Sequence, residues 1–99
     1  MAQYDVHPQI GGPGFWLNCQ TDLMSDFETR FVVPLIPIGM TSIPIASLNP
    51  VFSINDENHV MVTHLAATIM VQQLLPATAS LAASRYKITN ALDFLMTGV

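Results

Sequence analysis

The chain has 99 residues, of which 51% are apolar and only 10% are charged, and its formal net charge is −4. This length predicts one domain, residues 1–99, with a modest core. The fixed cations, Arg30, Arg85 and Lys87, are too few for a basic face that binds nucleic acid directly. So few charges leave apolar surface that one small core does not cover, which favours a homodimer or a large partner surface.

The cellular compartment is indicated by the cysteine content and by the apolar runs. Cys19 is the single cysteine, so it cannot form an internal disulfide, and it fits a reducing cytosol and a packing role. The opening MAQYDVHPQI lacks the basic start and the apolar stretch of a signal peptide. The run FVVPLIPIGMTSIPIASL is interrupted by three prolines and a glycine, so it is not a membrane span. We expect a cytoplasmic protein with no membrane partner.

The first half of the chain reads as short strands. Residues 4–6 form a first strand, and residues 7–14, HPQIGGPG, form a loop. A second strand covers 15–23, and the polar segment 21–29 follows as a loop. The β-branched run at 31–35 predicts a buried strand.

The middle of the chain combines a proline-rich stretch with a hairpin. Residues 37–50 carry too many prolines for a central strand, so we expect an edge strand and a loop there. A hairpin follows, with strands at 51–54 and 59–63 and a turn at 55–58, because asparagine and aspartate tolerate turn conformations. A further strand is predicted at 66–75, where Pro76 ends it.

Only the last quarter of the chain has the periodicity of a helix. One apolar face has the spacing i, i+3, i+4 and i+7, and it consists of Ile88, Ala91, Leu92 and Leu95. The opposite side carries Asn90, Asp93 and Thr97. Ser80 and Ser84 are the candidate N-cap residues, and Gly98 suits the C-terminal position that needs a left-handed backbone. The sequence therefore predicts antiparallel β-structure with one C-terminal helix.

The histidines do not form a recognisable metal site. His59 and His64 are five residues apart, so on a continuous strand they point to opposite faces. His7 lies in the predicted loop, and no cysteine pair accompanies these residues. We expect no metal and no other cofactor, and we interpret His64 as a polar strand residue.

No catalytic constellation is visible either. Asp22, Asp26 and Glu28 form an acidic cluster, which we interpret as a solvated loop rather than as a catalytic carboxylate pair. The GGPG at residues 11–14 lacks the lysine and the Ser/Thr of a phosphate-binding loop. Tyr4 and Trp16 are interpreted as core or interface residues. The sequence thus predicts that the protein is not an enzyme.

Three stretches, in order along the chain, resemble the CcdB family of bacterial toxins. Residues 19–24, CQTDLM, are similar to the family's Q-S-D followed by two aliphatic residues. Residues 29–35, TRFVVPL, are similar to its R-hydrophobic-V-I-P-L strand. The third stretch runs from residue 49 through the hairpin to residue 63 and continues at 88–95 and 98–99.

The resemblance implies a fold, a target and partners. The fold is an SH3-like barrel with a main antiparallel sheet, a small side sheet and a C-terminal helix. The protein would be a homodimer whose helices lie side by side. It would bind the DNA gyrase A subunit, trap the cleaved gyrase–DNA complex and act in plasmid maintenance. A CcdA-like antitoxin with a disordered C-terminal segment would neutralise it, and the net charge of −4 suits a basic partner peptide.

The resemblance also implies which residues contact gyrase. Thr97, Gly98 and Val99 form the tip of the contact, Asp93 and Met96 lie one turn back, and Leu23 and Met24 extend the patch. Thr97 departs from the best-known form of the family, which has a tryptophan there. A desolvated tryptophan stacked on an arginine contributes about 1 kcal/mol or more, and threonine cannot replace it.

Two alternative functions remain open at this stage. The same barrel occurs in MazF-like ribonuclease toxins, but RNA cleavage needs cations around a scissile phosphate, and the three cations and net charge of −4 argue against it. A dimerisation module without toxicity is the other alternative. Expression in a gyrase-dependent host separates the three, because they lead to double-strand breaks, lost messages or no effect.

Overall fold

The structure, a computed structural model, describes residues 2–42 and 44–98. Within these residues it contains seven strands and one α-helix. The strands are β1 Asp5–Pro8, β2 Phe15–Asn18, β3 Thr29–Pro37, β4 Val51–Ile54, β5 Glu57–Met61, β6 Ala67–Met70 and β7 Ala79–Ser80, and the helix is α1 Arg85–Thr97.

The strands form one antiparallel sheet in the order β4-β5-β3-β2-β1-β7, and β6 branches from it by pairing with the first half of β3. The sheet closes almost completely into a barrel, and α1 follows it at the C-terminus. The predicted mainly β barrel with a C-terminal helix is therefore confirmed. The small side sheet is the branch that β6 makes with β3.

β3 is longer than predicted and contains a proline at its centre. Cys19 donates its N–H to the Phe31 carbonyl at 2.9 Å, so in the β2–β3 register Val33 and Leu35 face β2 with their backbone groups. The nitrogen of Pro34 faces the opposite side, where the neighbouring strand changes from β6 to β5. The missing N–H of Pro34 thus falls at a break between two strands, which explains how a central strand tolerates it.

The hairpin of β4 and β5 turns more tightly than predicted. Ile54 pairs with Glu57, so the loop contains only Asn55 and Asp56. Their φ angles are 53° and 64°, the left-handed values that a type I′ turn needs at both central positions. The predicted hairpin is confirmed, with its turn at two residues rather than four.

The core fills the space between the sheet and α1. Ile88 and Ala91 are fully buried and belong to one cluster with strand residues such as Leu17 and Met61. Leu92 packs partly against this cluster, but Leu95 is 43% exposed. The prediction that Leu95 faces the core is wrong, because the last turn of the helix runs past the cluster it packs on. Asn90, Asp93 and Thr97 are exposed, as predicted.

Other boundaries differ from the sequence predictions for local reasons. The strand predicted at 15–23 ends at Asn18, and a 3₁₀ turn at Asp22–Met24 follows. The strand predicted at 66–75 ends at Met70, and a 3₁₀ turn, Val71–Gln73, continues it. Among the described residues of 38–50 there is no edge strand, but a 3₁₀ turn at Ile38–Met40 and further turns. Part of the predicted edge segment, residue 43, lies outside the described residues.

The helix begins without the predicted side-chain cap. Ser84 is the N-cap residue, but its side chain makes no capping hydrogen bond. The Ser80 hydroxyl accepts the Ala82 N–H at 3.2 Å and so supports the 3₁₀ turn Ala82–Ser84 that leads into α1. Over the residues described, no helix has the length and apolar character needed to cross a membrane.

Candidate functional site

The end of α1 is exposed and is held by hydrogen bonds within the helix. Met96 is 82% exposed, and Asp93, Thr97 and Gly98 are also exposed. The Thr97 hydroxyl donates to the Asp93 carbonyl at 2.7 Å, so it is already engaged within the helix. These four residues, all predicted for the gyrase contact, therefore lie together. Val99, predicted with them, lies outside the described residues.

Gly98 ends the helix with a conformation that favours glycine. Its φ is 76°, and its N–H donates to the Phe94 carbonyl at 2.9 Å. This is a left-handed helix cap of the kind the sequence predicted. A Cβ at Gly98 would meet no atom within 4 Å, so a side chain there would be opposed by backbone strain of about 1 kcal/mol rather than by a clash.

Leu23 and Met24 lie in a separate exposed turn. They belong to the 3₁₀ turn Asp22–Met24, and the Thr21 hydroxyl caps this turn by accepting the Leu23 N–H at 3.3 Å. Leu23 is 88% exposed, and Met24 and Phe27 near it in sequence are exposed as well. Gln20 bonds the Met24 carbonyl through its amide N–H at 3.0 Å and accepts the Phe31 N–H at 2.9 Å, so this turn is fixed to β3.

The two parts of the predicted site are not joined within one chain. The Gln3 N–H donates to the Asp22 carboxylate at 2.9 Å, which ties the 3₁₀ turn to the N-terminal segment. The Leu81 N–H donates to the carbonyl of neighbouring Tyr4 at 2.8 Å, and Leu81 directly precedes the 3₁₀ turn that leads into α1. That segment therefore lies near the start of α1. Thr97 is about 18 Å further along the axis, at about 1.5 Å per residue, and no hydrogen bond within 2–42 and 44–98 joins the two parts.

The histidines are dispersed, and two of them are buried. His7 lies in β1, not in the predicted loop, and its Nδ1 is 2.7 Å from the Leu75 carbonyl. His59 lies in β5 with its ring edge against Phe15, at 5.1 Å between ring centroids. His64 is exposed in the 3₁₀ turn Thr63–Leu65, so its assignment to a strand is wrong. No group of three metal-ligating side chains occurs in the described part of the chain.

Cys19 and the acidic cluster have structural surroundings rather than catalytic ones. Burial raises the pKa of the Cys19 thiol to about 12, so the nucleophilic thiolate is scarce at neutral pH. Asp22, Asp26 and Glu28 are exposed, and the Asp22 carboxylate accepts an N–H from Gln3 as described above. The exposure of these three carboxylates agrees with their interpretation as part of a solvated loop.

The cations are not gathered for phosphate binding. Arg30 is only 6% exposed, and its guanidinium donates to the carbonyls of Ser25, Phe27 and Thr29 at 2.6 to 2.9 Å. Arg85 lies over the Tyr86 ring at 5.1 Å. Since Arg30 is committed to the backbone, only Arg85 and Lys87 remain as exposed fixed cations. The arrangement does not favour the ribonuclease alternative.

Sequence reasoning missed a groove of about 650 Å³ between α1 and the segment before β4. It is lined by Ala46, Ser47, Pro50, Val51, Lys87, Asn90, Asp93 and Phe94. The helical spacing of Lys87, Asn90 and Phe94 places them on one flank, which is the signal that the sequence contained. The other wall depends on how the proline-rich segment folds, and no local pattern predicts that.

Comparison with known proteins gives one family. A family model described as CcdB protein matches residues 3–98 of the chain. A search of curated proteins finds no match.

Proposed function

The chain belongs to the CcdB family of toxin–antitoxin toxins, and we propose that it binds the A subunit of DNA gyrase and traps the cleaved gyrase–DNA complex. The family is a toxin family and not a classical enzyme family. In this proposal the protein acts without catalysis of its own, in the cytoplasm, where gyrase and DNA occur.

The exposed and fixed end of α1 is the observation that carries the proposal. A contact that stalls a large enzyme gains from a surface that is already ordered before binding. The cap at Gly98 and the Thr97–Asp93 bond provide this order, and Met96 supplies exposed apolar area. We propose Asp93, Met96, Thr97, Gly98 and Val99 as the gyrase contact.

A homodimer is proposed because, within one chain, the two parts of the gyrase contact do not lie together. Leu23 and Met24 are distant from the helix end of their own chain, so we propose that the dimer places them beside it and so extends the gyrase contact. Leu95 continues the apolar face of α1 but does not pack on the core, so it is a candidate residue for the dimer interface, which we call the seam. Phe94, the neighbouring residue of α1, is half-buried and lines the groove. A CcdA-like antitoxin is the proposed neutralising partner.

A gyrase cleavage assay with the purified protein tests the proposal. Supercoiled plasmid, gyrase and the chain should give linear DNA after detergent and protease treatment. Deletion of residues 98–99 should abolish the linear product. The deletion should change the melting temperature little, because the last helical turn already lies outside the core. Thr97→Trp should keep or strengthen the effect if the gyrase pocket accepts an aromatic ring.

Two results would contradict this assignment. If the full chain yields no linear DNA with gyrase, gyrase is not the target. If the truncated chain remains fully active, or loses several kcal/mol of stability, the helix end is a structural cap and not the contact.

A further inference from the structure

The outer edge of β4 carries unpaired backbone groups. The two-residue turn makes Ile54 and Glu57 a hydrogen-bonded pair, and such pairs alternate along the ladder. The Met61 N–H donates to the Pro50 carbonyl at 2.9 Å, in agreement with this alternation. The N–H and C=O groups of Val51 and Ser53 therefore point away from β5. Both residues are exposed, and no described residue bonds these groups.

This edge borders the groove beside α1. Pro50 and Val51 line the groove from the sheet side, and Asn90 and Phe94 line it from the helix side. Phe52 and Ile54 belong to the core cluster together with Ile88 of the helix. A strand added next to β4 would therefore direct every second side chain into the groove, because strand side chains alternate between the two faces.

The second wall of the groove is held in place by buried polar residues. Asn49 is 5% exposed, donates to the Met61 carbonyl at 3.1 Å and accepts the Ile45 N–H at 3.2 Å. The hydroxyl of Thr63, which is fully buried, donates to the Leu48 carbonyl. Because these bonds fix the segment before β4, the groove exists before any partner binds.

The charges around this edge are mainly negative. Asp56, in the turn after β4, and Glu57, the first residue of β5, are exposed, and Asp93 lines the groove. Lys87 is the cation that lines it. Three carboxylates against one ammonium favour a basic occupant over an acidic one.

We propose that the β4 edge and the adjoining groove bind an extended basic peptide segment by strand addition. The backbone of Val51 and Ser53 pairs with the peptide, and alternate apolar side chains of the peptide enter the groove against Phe94. We assign this segment to the antitoxin, and in that respect the inference rests on the proposed function. A second copy of this chain fits less well, because it would bring a second net charge of −4 to an edge that is already acidic.

Amide hydrogen exchange with a defined probe tests the pairing. The probe is a ten-residue peptide of alternating valine and lysine, and the matched control replaces each lysine by glutamate. In the free chain the Val51 and Ser53 amides should exchange fast, while those of Phe52 and Ile54 are slow because β5 protects them. The lysine probe should slow the Val51 and Ser53 amides by about tenfold or more, and the glutamate control should not.

Any other pattern overturns the inference. Absence of probe binding, equal binding of both peptides, or protection at other residues would exclude strand addition here. Protection of Val51 and Ser53 that rises with protein concentration, without peptide, would identify a second copy as the occupant.

Two variants separate this inference from the proposed function. Ser53→Pro removes an outward N–H from an edge position where proline is tolerated, and Ser53→Ala keeps it. If the proline variant folds poorly, Ala46→Arg provides a second test, because it places a cation in the groove. Its control is Ala77→Arg, which places the same charge on another exposed segment. Ser53→Pro and Ala46→Arg should weaken probe binding about tenfold and keep gyrase trapping, whereas their controls should change neither. Probe binding that is unaffected by both variants contradicts the edge site, whereas loss of gyrase trapping by the unmodified chain contradicts only the function.

Discussion

At the scale of single residues, Arg30 shapes the surface that carries Leu23 and Met24. Its buried guanidinium donates to the carbonyls of Ser25, Phe27 and Thr29, which lead from the 3₁₀ turn into β3. Hydrogen bonds from a charged donor are among the stronger ones in proteins, and lysine cannot reproduce the planar fork of arginine. The position of the exposed turn therefore depends on a residue that is itself buried.

Replacement of Arg30 by alanine should lower the free energy of unfolding by about 2–4 kcal/mol, because three charge-assisted bonds and their packing are lost. Urea titration measures this loss. Arg85→Ala is the matched control, and it should cost less than about 1 kcal/mol, since Arg85 is exposed and only covers the Tyr86 ring. Equal losses for the two variants would show that Arg30 does not hold the segment.

Residue-level predictions from the sequence succeeded where the local backbone decides the outcome. Gly98 follows a helical run, and its left-handed cap is confirmed. His7 and Arg30 were not predictable in the same way. His7 is buried because the segment around Leu75 covers it, and Arg30 because the preceding loop folds over it, and both contacts depend on tertiary structure.

At the scale of elements, the turn of the β4–β5 hairpin lacks the glycine that this turn type prefers at its second central position. Both Asn55 and Asp56 have positive φ, and Asn-Gly is the preferred pair for this turn type. Aspartate tolerates the left-handed conformation less well than glycine does. The hairpin therefore carries a small amount of strain at Asp56.

Replacement of Asp56 by glycine should raise the free energy of unfolding by about 0.5–1 kcal/mol, because glycine adopts this φ without a Cβ penalty. Thermal melts of the two proteins give the difference. Asn58→Gly places the same residue in β5, where it should destabilise by a similar amount because glycine weakens strands. A loss of stability for Asp56→Gly would mean that the aspartate side chain, and not its backbone, determines this turn.

Element predictions were best for strands and helix with a clear local period. The hairpin and α1 have such periods. β7 has only two residues and exists because it pairs with β1, so no pattern marks it. The extension of β3 beyond Pro34 could not be predicted from the sequence either, because it depends on the change of neighbouring strand from β6 to β5 at that point.

At the scale of the whole molecule, the barrel leaves much apolar surface exposed. Leu23, Met24 and Phe27 form one exposed group, and Leu95 and Met96 form another at the helix end. The exposed apolar area predicted from the charge content is thus visible in the fold. Stable interfaces bury about 800 Å² per partner, and a homodimer is the association that we propose for this surface.

The oligomeric state of the protein provides the last prediction. We expect a homodimer at tens of micromolar, with Leu95 in the seam. Leu95 lies on the apolar stripe of α1 but beyond the core, so a partner is needed to cover it. Leu95→Glu would bury an unpaired charge at the seam, an unfavourable change, and should convert the dimer to a folded monomer. Sedimentation equilibrium measures the mass, and circular dichroism confirms the fold.

The control for this prediction is Ile10→Glu, which adds the same charge at an exposed position in the β1–β2 loop and should leave the dimer intact. A stable monomer of the unmodified chain at this concentration would rule the dimer out, and an unaffected dimer of Leu95→Glu would move the seam elsewhere.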